Sequence, residues 1–380
     1  MPGLPGWRRA ALLLGLVLLG LGLGHDIGPP RLALLPVGFA ALEGWSADRV
    51  SAAVPAFLKS CARFLTKPDE APLDPWSVAA DFGRVADWRG VCELAAALPP
   101  GDDAAARHFF RSRFVPVLAL DRYRATAREP VGLFTGYFEI GLKGSLERRG
   151  RYQTPIYKMP ADAALASRYA RAEIEDGALA GQHLALLWVD DPIDAFFLQI
   201  QGSGRVRLDN GKTVRLGYGG QNRKPYVPVG RLLLDRGIIP REQLTMLTIR
   251  EWMAKHKKAG AALRREDPSY VFFRILKGPG PKGAEGVVLS PRRSLAVDPA
   301  AIPLGVPLWL DARERFGAQE RLRRLVVAQD TGGAIKGPVR GDLFWGTGEK
   351  AGIRAGRMNA RGRYFLLLPR RLAARLAATG

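Results

Sequence analysis

From residue 287 onward, short apolar runs follow one another with little more than a turn between them. Val287-Val288-Leu289, 295–297 (LAV), 307–310 (PLWL), 325–328 (LVVA) and 364–368 (YFLLL) are too short for helices. Glycine and proline punctuate the gaps, the pattern of strands joined by tight turns. Short strands at this spacing indicate a small β-barrel.

The texture upstream is different. Residues 44–120 read mainly helical: 48–64 (DRVSAAVPAFLKSCARF), 78–97 and 102–114 carry apolar residues at helical spacing, and the Pro-rich stretch 66–75 separates the first two. At Val131 the chain becomes aromatic and β-branched. Residues 131–140 predict a strand, with Gly136 marking a bulge or a close backbone approach. Further extended pieces are expected at 152–158, 185–189 and 195–201, the last two around an Asp190-Asp191-Pro192 turn and closed by Gly202-Ser203-Gly204. Residues 161–176 are helix-like, and 206–216 form a hairpin with Asn210-Gly211 at its tip. A helix begins in 226–235, and 241–265 reads as one long amphipathic helix carrying Lys255, Lys257 and Lys258. Strand texture returns at 267–276, before a Gly/Pro/Lys linker at 278–286.

With 380 residues, the chain has room for two domains or for one with an insertion. Its charge narrows the choice of partner. Lys and Arg number 57 against 36 Asp and Glu, and a net +21 favours nucleic acid, a membrane surface or an acidic polysaccharide; a solvated basic surface is the plain alternative. Trp7-Arg8-Arg9 precedes an apolar run, 10–24, that ends with small residues Gly22 and Gly24. It is short for a membrane span and has the layout of an export signal, 1–24, with an uncleaved anchor as the alternative. No Cys stands near it for lipid attachment. Export argues against nucleic acid and favours an oxidising compartment. The two cysteines, Cys61 and Cys92, then read as a disulfide worth about 3 kcal/mol, two buried thiols being the other reading. Four scattered His and two distant Cys match no metal-ligand spacing, and no phosphate loop or dinucleotide fingerprint is present, so neither metal nor cofactor is expected.

Residues able to carry chemistry concentrate at 324–346 (RLVVAQDTGGAIKGPVRGDLFWG). An apolar run delivers Asp330 at its end, Gly332-Gly333 and 334–338 can turn, and Asp342 follows. Two acids so joined can meet at one end of a barrel. An aspartate beside glycine is otherwise a turn residue capping its own backbone. Asp298, followed by Pro299, is read that way. Phe344 and Trp345 suit a carbohydrate ring or a core wall equally.

Around these acids, 294–298 (SLAVD), 327–337 (VAQDTGGAIKG) and 341–344 (GDLF) resemble the three-aspartate (3D) module of cell-wall proteins, whose fold is similar to the double-psi barrel of barwin and expansins. Residues 133–138 (LFTGYF), 196–204 (FFLQIQGSG) and 268–273 (PSYVFF) look like the hallmark blocks of the lytic murein transglycosylase A family. Together the blocks span 131–369. The resemblance implies a mainly β protein with helical additions: a six-stranded double-psi (barwin-like) β-barrel with a second β-rich domain inserted and a deep groove between them. The division would be a helical part at 25–130, the insert at 131–270 and the rest of the barrel at 271–380.

The activity implied is scission of the β-1,4 bond between N-acetylmuramic acid and N-acetylglucosamine, with the muramoyl C6 hydroxyl attacking its own anomeric carbon to leave a 1,6-anhydro end. The substrate supplies the nucleophile, so one carboxyl can serve as acid and then as base. Position gives Asp342 that role, with its pKa raised by an apolar wall or a like charge, and Asp330 the auxiliary one. Tyr137, Gln199, Gln201 and Ser203 become candidates for binding sugar, although a buried strand and a Gly-Ser-Gly corner also explain them. Lys336 and Arg340 are cations that could meet substrate carboxylates or simply face solvent. The family also implies glycan strands of peptidoglycan as partner, without nucleic acid, and a periplasmic location. Its members are often lipid-anchored through an N-terminal Cys, which this sequence lacks, so a soluble or signal-anchored enzyme is expected, not one lipidated through Cys. A monomer suits work on a mesh. Two rivals stand beside this reading: a hydrolase on the same barrel, and a wall-binding module without catalysis.

Overall fold

The β runs after residue 287 do close on themselves, but only by borrowing a strand from the middle of the chain. The computed structural model describes residues 32–75, 81–122, 132–314 and 321–379. The expected export segment 1–24, the start of the 78–97 helix and Val131 lie outside the described residues. In chain order the strands are β1 (Leu32–Pro36), β2 (Phe114–Asp121), β3 (Gly132–Ser145), β4 (Thr154–Tyr157), β5 (Ala185–Val189), β6 (Ser203–Leu208), β7 (Thr213–Gln221), β8 (Val271–Leu276), β9 (Ser294–Ala296), β10 (Pro307–Glu314), β11 (Arg321–Asp330), β12 (Arg340–Thr347) and β13 (Asn359–Pro369).

Six of them form a ring: β13 pairs β10, then β11, β9, β12 and β3 follow, and β3 pairs back onto β13. The β9–β11 and β3–β12 contacts are parallel and the other four antiparallel. A closed ring leaves no open edge inside the barrel. Leu295, Leu308, Leu310, Val327, Leu343 and Leu366 are fully buried. Between Leu308 and Leu310, Trp309 faces outward, edge-on to Trp45 at 5.2 Å. Three helices pack on that side: α1 (Val54–Phe64), α2 (Val85–Ala96) and α3 (Asp103–Arg113). Their aromatic residues Phe57, Trp88 and Phe110 interlock with Phe114. Cys61 of α1 and Cys92 of α2 are joined, with Cα atoms 5.4 Å apart.

The long strand β3 belongs to two sheets. Its first half lies in the ring; Ile140–Gly144 pairs β6, and Gly144 and Ser145 pair β5, building a second sheet in which β4, β5, β3, β6, β7 and β8 lie in that order. Its glycines permit the close packing that a shared strand needs. A Cβ on Gly136 would stand 2.6 Å from the Trp345 indole nitrogen and 2.8 Å from Ala355 Cα, so Gly136 is a close approach, not a bulge. At the seam, fully buried Glu139 pairs with Arg215 at 2.8 Å and Arg205 at 3.1 Å.

The remaining helices are α4 (Ala163–Arg168), α5 (Arg171–Glu175), α6 (Pro192–Gln201), α7 (Val229–Asp235), α8 (Met246–Lys255), α9 (Lys257–Arg265), α10 (Glu349–Arg357) and α11 (Arg370–Thr379). Several correct the sequence reading. Residues 195–201 are not a strand but the body of α6. Asp191 caps its start by accepting the Ile193 amide at 2.8 Å, Pro192 stands at its first turn, and Gly202 ends it in a left-handed conformation. Ala195–Leu198 is too short an apolar run to show a period, and Leu198-Gln199-Ile200-Gln201 alternates as a strand would. The 241–265 stretch is two helices, starting at Met246 and broken at His256, and across the break Gly260 packs on the Met253 backbone, where a Cβ would meet atoms at 2.8 Å. Residues 287–289 form no strand; only a single bridge joins Lys282 to Val288. Strand β2 sits inside the stretch read as mainly helical.

Candidate active site

On β12 the side chains alternate, so Asp342 and Phe344 share one face and Leu343 and Trp345 the other. Leu343 fills the barrel. Phe344 joins Tyr137, Leu289, Ala296 and Ile335 in a separate apolar cluster beneath Asp342. Trp345 therefore turns away from the acid. Its indole N–H donates to Met358 Sδ at 3.3 Å, Arg324 stacks over it, and it packs against both main cores. Of its two readings, ring stacker or core wall, the second holds.

Register brings the acids together. Asp342 lies opposite Thr135 of β3 and Ala296 of β9, and Ala296 is in turn opposite Asp330 at the end of β11. Both acids line one open cleft of about 160 Å³. The opposite wall belongs to the second sheet and its helices: Arg171, Gln199, Ile200, Gln201, Gln221, Tyr226, Asp267 and Ser269. The 331–335 turn forms the rim.

The two acids are bonded differently. Asp330 is saturated: Oδ2 accepts the Tyr137 hydroxyl at 2.8 Å, and Oδ1 accepts the Ala284 and Thr331 amides, each at 2.9 Å. Asp342 accepts one hydrogen bond, from Thr135 Oγ1 to Oδ1 at 3.0 Å, and among the described residues its Oδ2 has no donor. The direction of that bond is fixed from behind. Arg340 Nη2 donates to Thr135 Oγ1 at 2.8 Å, and a guanidinium can only donate, so the Thr135 proton points to Asp342. Burial pushes the Asp342 carboxyl up, Arg340 and Thr135 pull it down and Asp330 pushes it up again, leaving it at about 6. Burial also raises Asp330, against the pull of its three donors.

The other residues singled out from sequence divide. Tyr137 is buried, spends its hydroxyl on Asp330 and packs at a tilt against Phe344, ring centres 5.2 Å apart. Gln199 and Gln201 line the cleft while accepting the Val271 and Phe138 amides at 3.2 and 2.9 Å. Ser203 is buried at the start of β6 and is not part of the lining. Asp298 braces the turn between the acids, accepting the Gly337 amide at 2.7 Å and the Ala300 amide at 3.2 Å. Lys336 is exposed on that turn, and Arg340 is bound to Thr135. Among the described residues no group of three or more His, Cys, Asp or Glu is placed to hold a metal ion, and no helix is long and apolar enough to cross a membrane.

Sequence reasoning missed Thr135, Tyr226 and the Arg171–Asp267 pair. Thr135 lay inside a quoted block. Burial lifts the Tyr226 hydroxyl to about 12, helped by Asp267 and Asp342. Arg171 and Asp267 are 96 residues apart, and both are almost wholly buried: Arg171 Nη2 meets Asp267 Oδ2 at 3.3 Å, and Asp267 Oδ1 accepts the Val227 and Ser269 amides. No local pattern announces such a pair.

Comparison with known proteins yields two family matches: the MltA specific insert domain over residues 133–274 and the 3D domain over 293–368. The membrane-bound lytic murein transglycosylase A of Escherichia coli K12 is 38% identical over 242 residues, 62% of this chain. That alignment spans 65% of the relative's length, just under two thirds. Among solved structures, the lytic transglycosylase LtgG of Burkholderia pseudomallei is 43% identical with a TM-score of 0.59, over 90% of this chain and 98% of that one. The E. coli MltA structure with bound chitohexaose is 27% identical with a TM-score of 0.65, over 90% and 95%.

Proposed function

The chain belongs to the membrane-bound lytic murein transglycosylase A family, and on that premise we propose that it cleaves the β-1,4 bond between N-acetylmuramic acid and N-acetylglucosamine in peptidoglycan, leaving a 1,6-anhydromuramoyl end. The observation that carries this reading is the unequal bonding of Asp330 and Asp342. Asp342, half-buried with Oδ2 free toward the cleft and a pKa of about 6, suits a group that gives a proton and takes one back near neutrality. In the first step the Oδ2 proton passes to the bridging oxygen as its bond to the muramoyl C1 breaks. In the second, the Asp342 carboxylate accepts the C6 hydroxyl proton as that oxygen bonds to C1. No water is consumed.

Asp330 would act as a fixed charge. Three donors favour its ionised form, and its field raises Asp342 and opposes the positive charge that builds at C1. The same saturation weakens the hydrolytic alternative. Hydrolysis needs a second carboxylate free to activate water or to attack, and both other acids in the lining, Asp330 and Asp267, are held by three donors each. Gln199, Gln201, Ile200 and Tyr226 would then shape the far wall of the sugar site. The chitohexaose bound to the E. coli relative supports a glycan in this groove. We further propose that the enzyme works as an exported monomer at the cell wall, associated with the membrane through its N-terminal segment.

Mass spectrometry of digested murein tests the reading. Products lighter by one water than hydrolytic muropeptides are expected. Reducing ends alone would transfer the site to a hydrolase, and binding without cleavage would favour the wall-binding module.

A further inference from the structure

One buried acid takes no part in the chemistry above. Glu285 is 9% exposed and sits behind Asp330, away from the cleft. It ends a one-way chain of hydrogen bonds. The Ser290 amide donates to Ser294 Oγ at 2.8 Å, and Ser294 Oγ donates to Gln329 Oε1 at 2.6 Å. Gln329 Nε2 donates to Ser60 Oγ at 2.9 Å, and Ser60 Oγ donates to Glu285 Oε2 at 2.8 Å. Among the described residues Glu285 Oε1 has no partner. The main chain doubles the contact: the Glu285 amide reaches the Gln329 carbonyl at 3.2 Å, and the Ala284 amide reaches Asp330 Oδ1 at 2.9 Å. Gly283 lies so close to β11 that a Cβ would stand 2.3 Å from the Gln329 carbonyl. The 283–286 turn is thus a strap across the end of the strand that presents Asp330.

We propose that Glu285 is a positioning residue which, as a neutral acid, keeps this strap closed on Asp330, and whose ionisation frees the Ala284 amide. The inference rests on the reading of Asp330 as the auxiliary carboxylate. A buried carboxylate with one donor is costly unless water reaches it, and lifting the strap that covers it would admit water. The charged groups facing it are Arg63 of α1 and Lys67 just beyond, and they do not offset its burial, which lifts the group to about 7. The lining is otherwise apolar or uncharged: the Phe64 ring and Gly305 from one side, Ser60 and Gln329 from the other.

Hydrogen exchange of the full-length protein reads the strap directly. After correction for intrinsic rates, the 283–286 amides of the wild type should exchange about fourfold faster at pH 8 than at pH 6.5, as the ionised fraction of a group titrating near 7 rises. Glu285→Gln, which keeps size and neutrality, should stay protected throughout, and Glu285→Ala should be open at every pH. Wild type and Glu285→Gln exchanging in parallel would overturn the proposal. Release of anhydro products provides the second readout. Glu285→Gln should keep more activity than wild type above pH 7, and coincident alkaline limbs would count against any coupling to Asp330. If no anhydro product forms from any variant, the proposed function fails, while exchange still judges the strap.

Discussion

The two walls of the cleft handle charge in opposite ways. On the second-sheet wall, Asp267 is satisfied by two backbone amides and Arg171, and the Arg171 guanidinium is further sandwiched against Phe196 and Tyr270. On the barrel wall, Asp342 keeps an oxygen that has no donor among the described residues, above an apolar floor. Both walls bury acids and both raise them. Among the described residues only the barrel wall leaves a carboxylate oxygen of the lining without a donor. Among the acids lining the cleft, burial and a shifted pKa therefore do not separate a structural acid from the proposed reactive one; incomplete hydrogen bonding does.

Asp342→Asn is the strongest way to break that contrast. It keeps the shape and the Thr135 contact and removes the transferable proton. Release of anhydro products should fall by about a thousandfold, with urea unfolding near that of the wild type. Activity within a few fold of wild type would remove Asp342 from the mechanism.

On the opposite wall the expected loss is of stability rather than chemistry. Asp267→Ala leaves the Arg171 guanidinium buried beside an empty site and strips an acceptor from the Val227 and Ser269 amides. The unfolding free energy should drop by about 3 kcal/mol in urea titrations. Asp267→Asn, which can still accept the amides, should lose less. If both variants unfold like the wild type, the wall is not held by this pair.

The contrast also marks what a sequence can announce. The barrel was legible because its apolar runs are short and punctuated by glycine and proline, and the acids because they flank a turn. The ring's closure was not, since β3 pairs with β12 and β13 more than 200 residues later and no local pattern records that register. Residues 195–201 were misread because 195–199 are all buried, which erases the period that separates helix from strand. The individual duties of Tyr137 and Thr135 depend on which carboxylate lies 3 Å away. The family blocks pointed to the neighbourhood without that detail.

Two smaller changes at the barrel wall should move Asp342 in opposite directions. Asp330→Asn removes the like charge that raises the Asp342 carboxyl. The first step needs Asp342 protonated, so the alkaline limb of kcat/KM should move to lower pH, with a loss of about tenfold at pH 7. Thr135→Val removes a hydrogen bond that favours the carboxylate, so Asp342 should rise and the limb should move to higher pH. Its cost in rate at acid pH is the smallest of the series, about fivefold, the worth of one ordinary hydrogen bond that orients the acid. Thr135→Ser restores the hydroxyl and should return the limb to its original place. Limbs that shift the same way in Asp330→Asn and Thr135→Val would mean that both report disorder of the cleft. Opposite shifts would place the titrating proton on Asp342, between a charge that holds it on and a threonine that helps it leave.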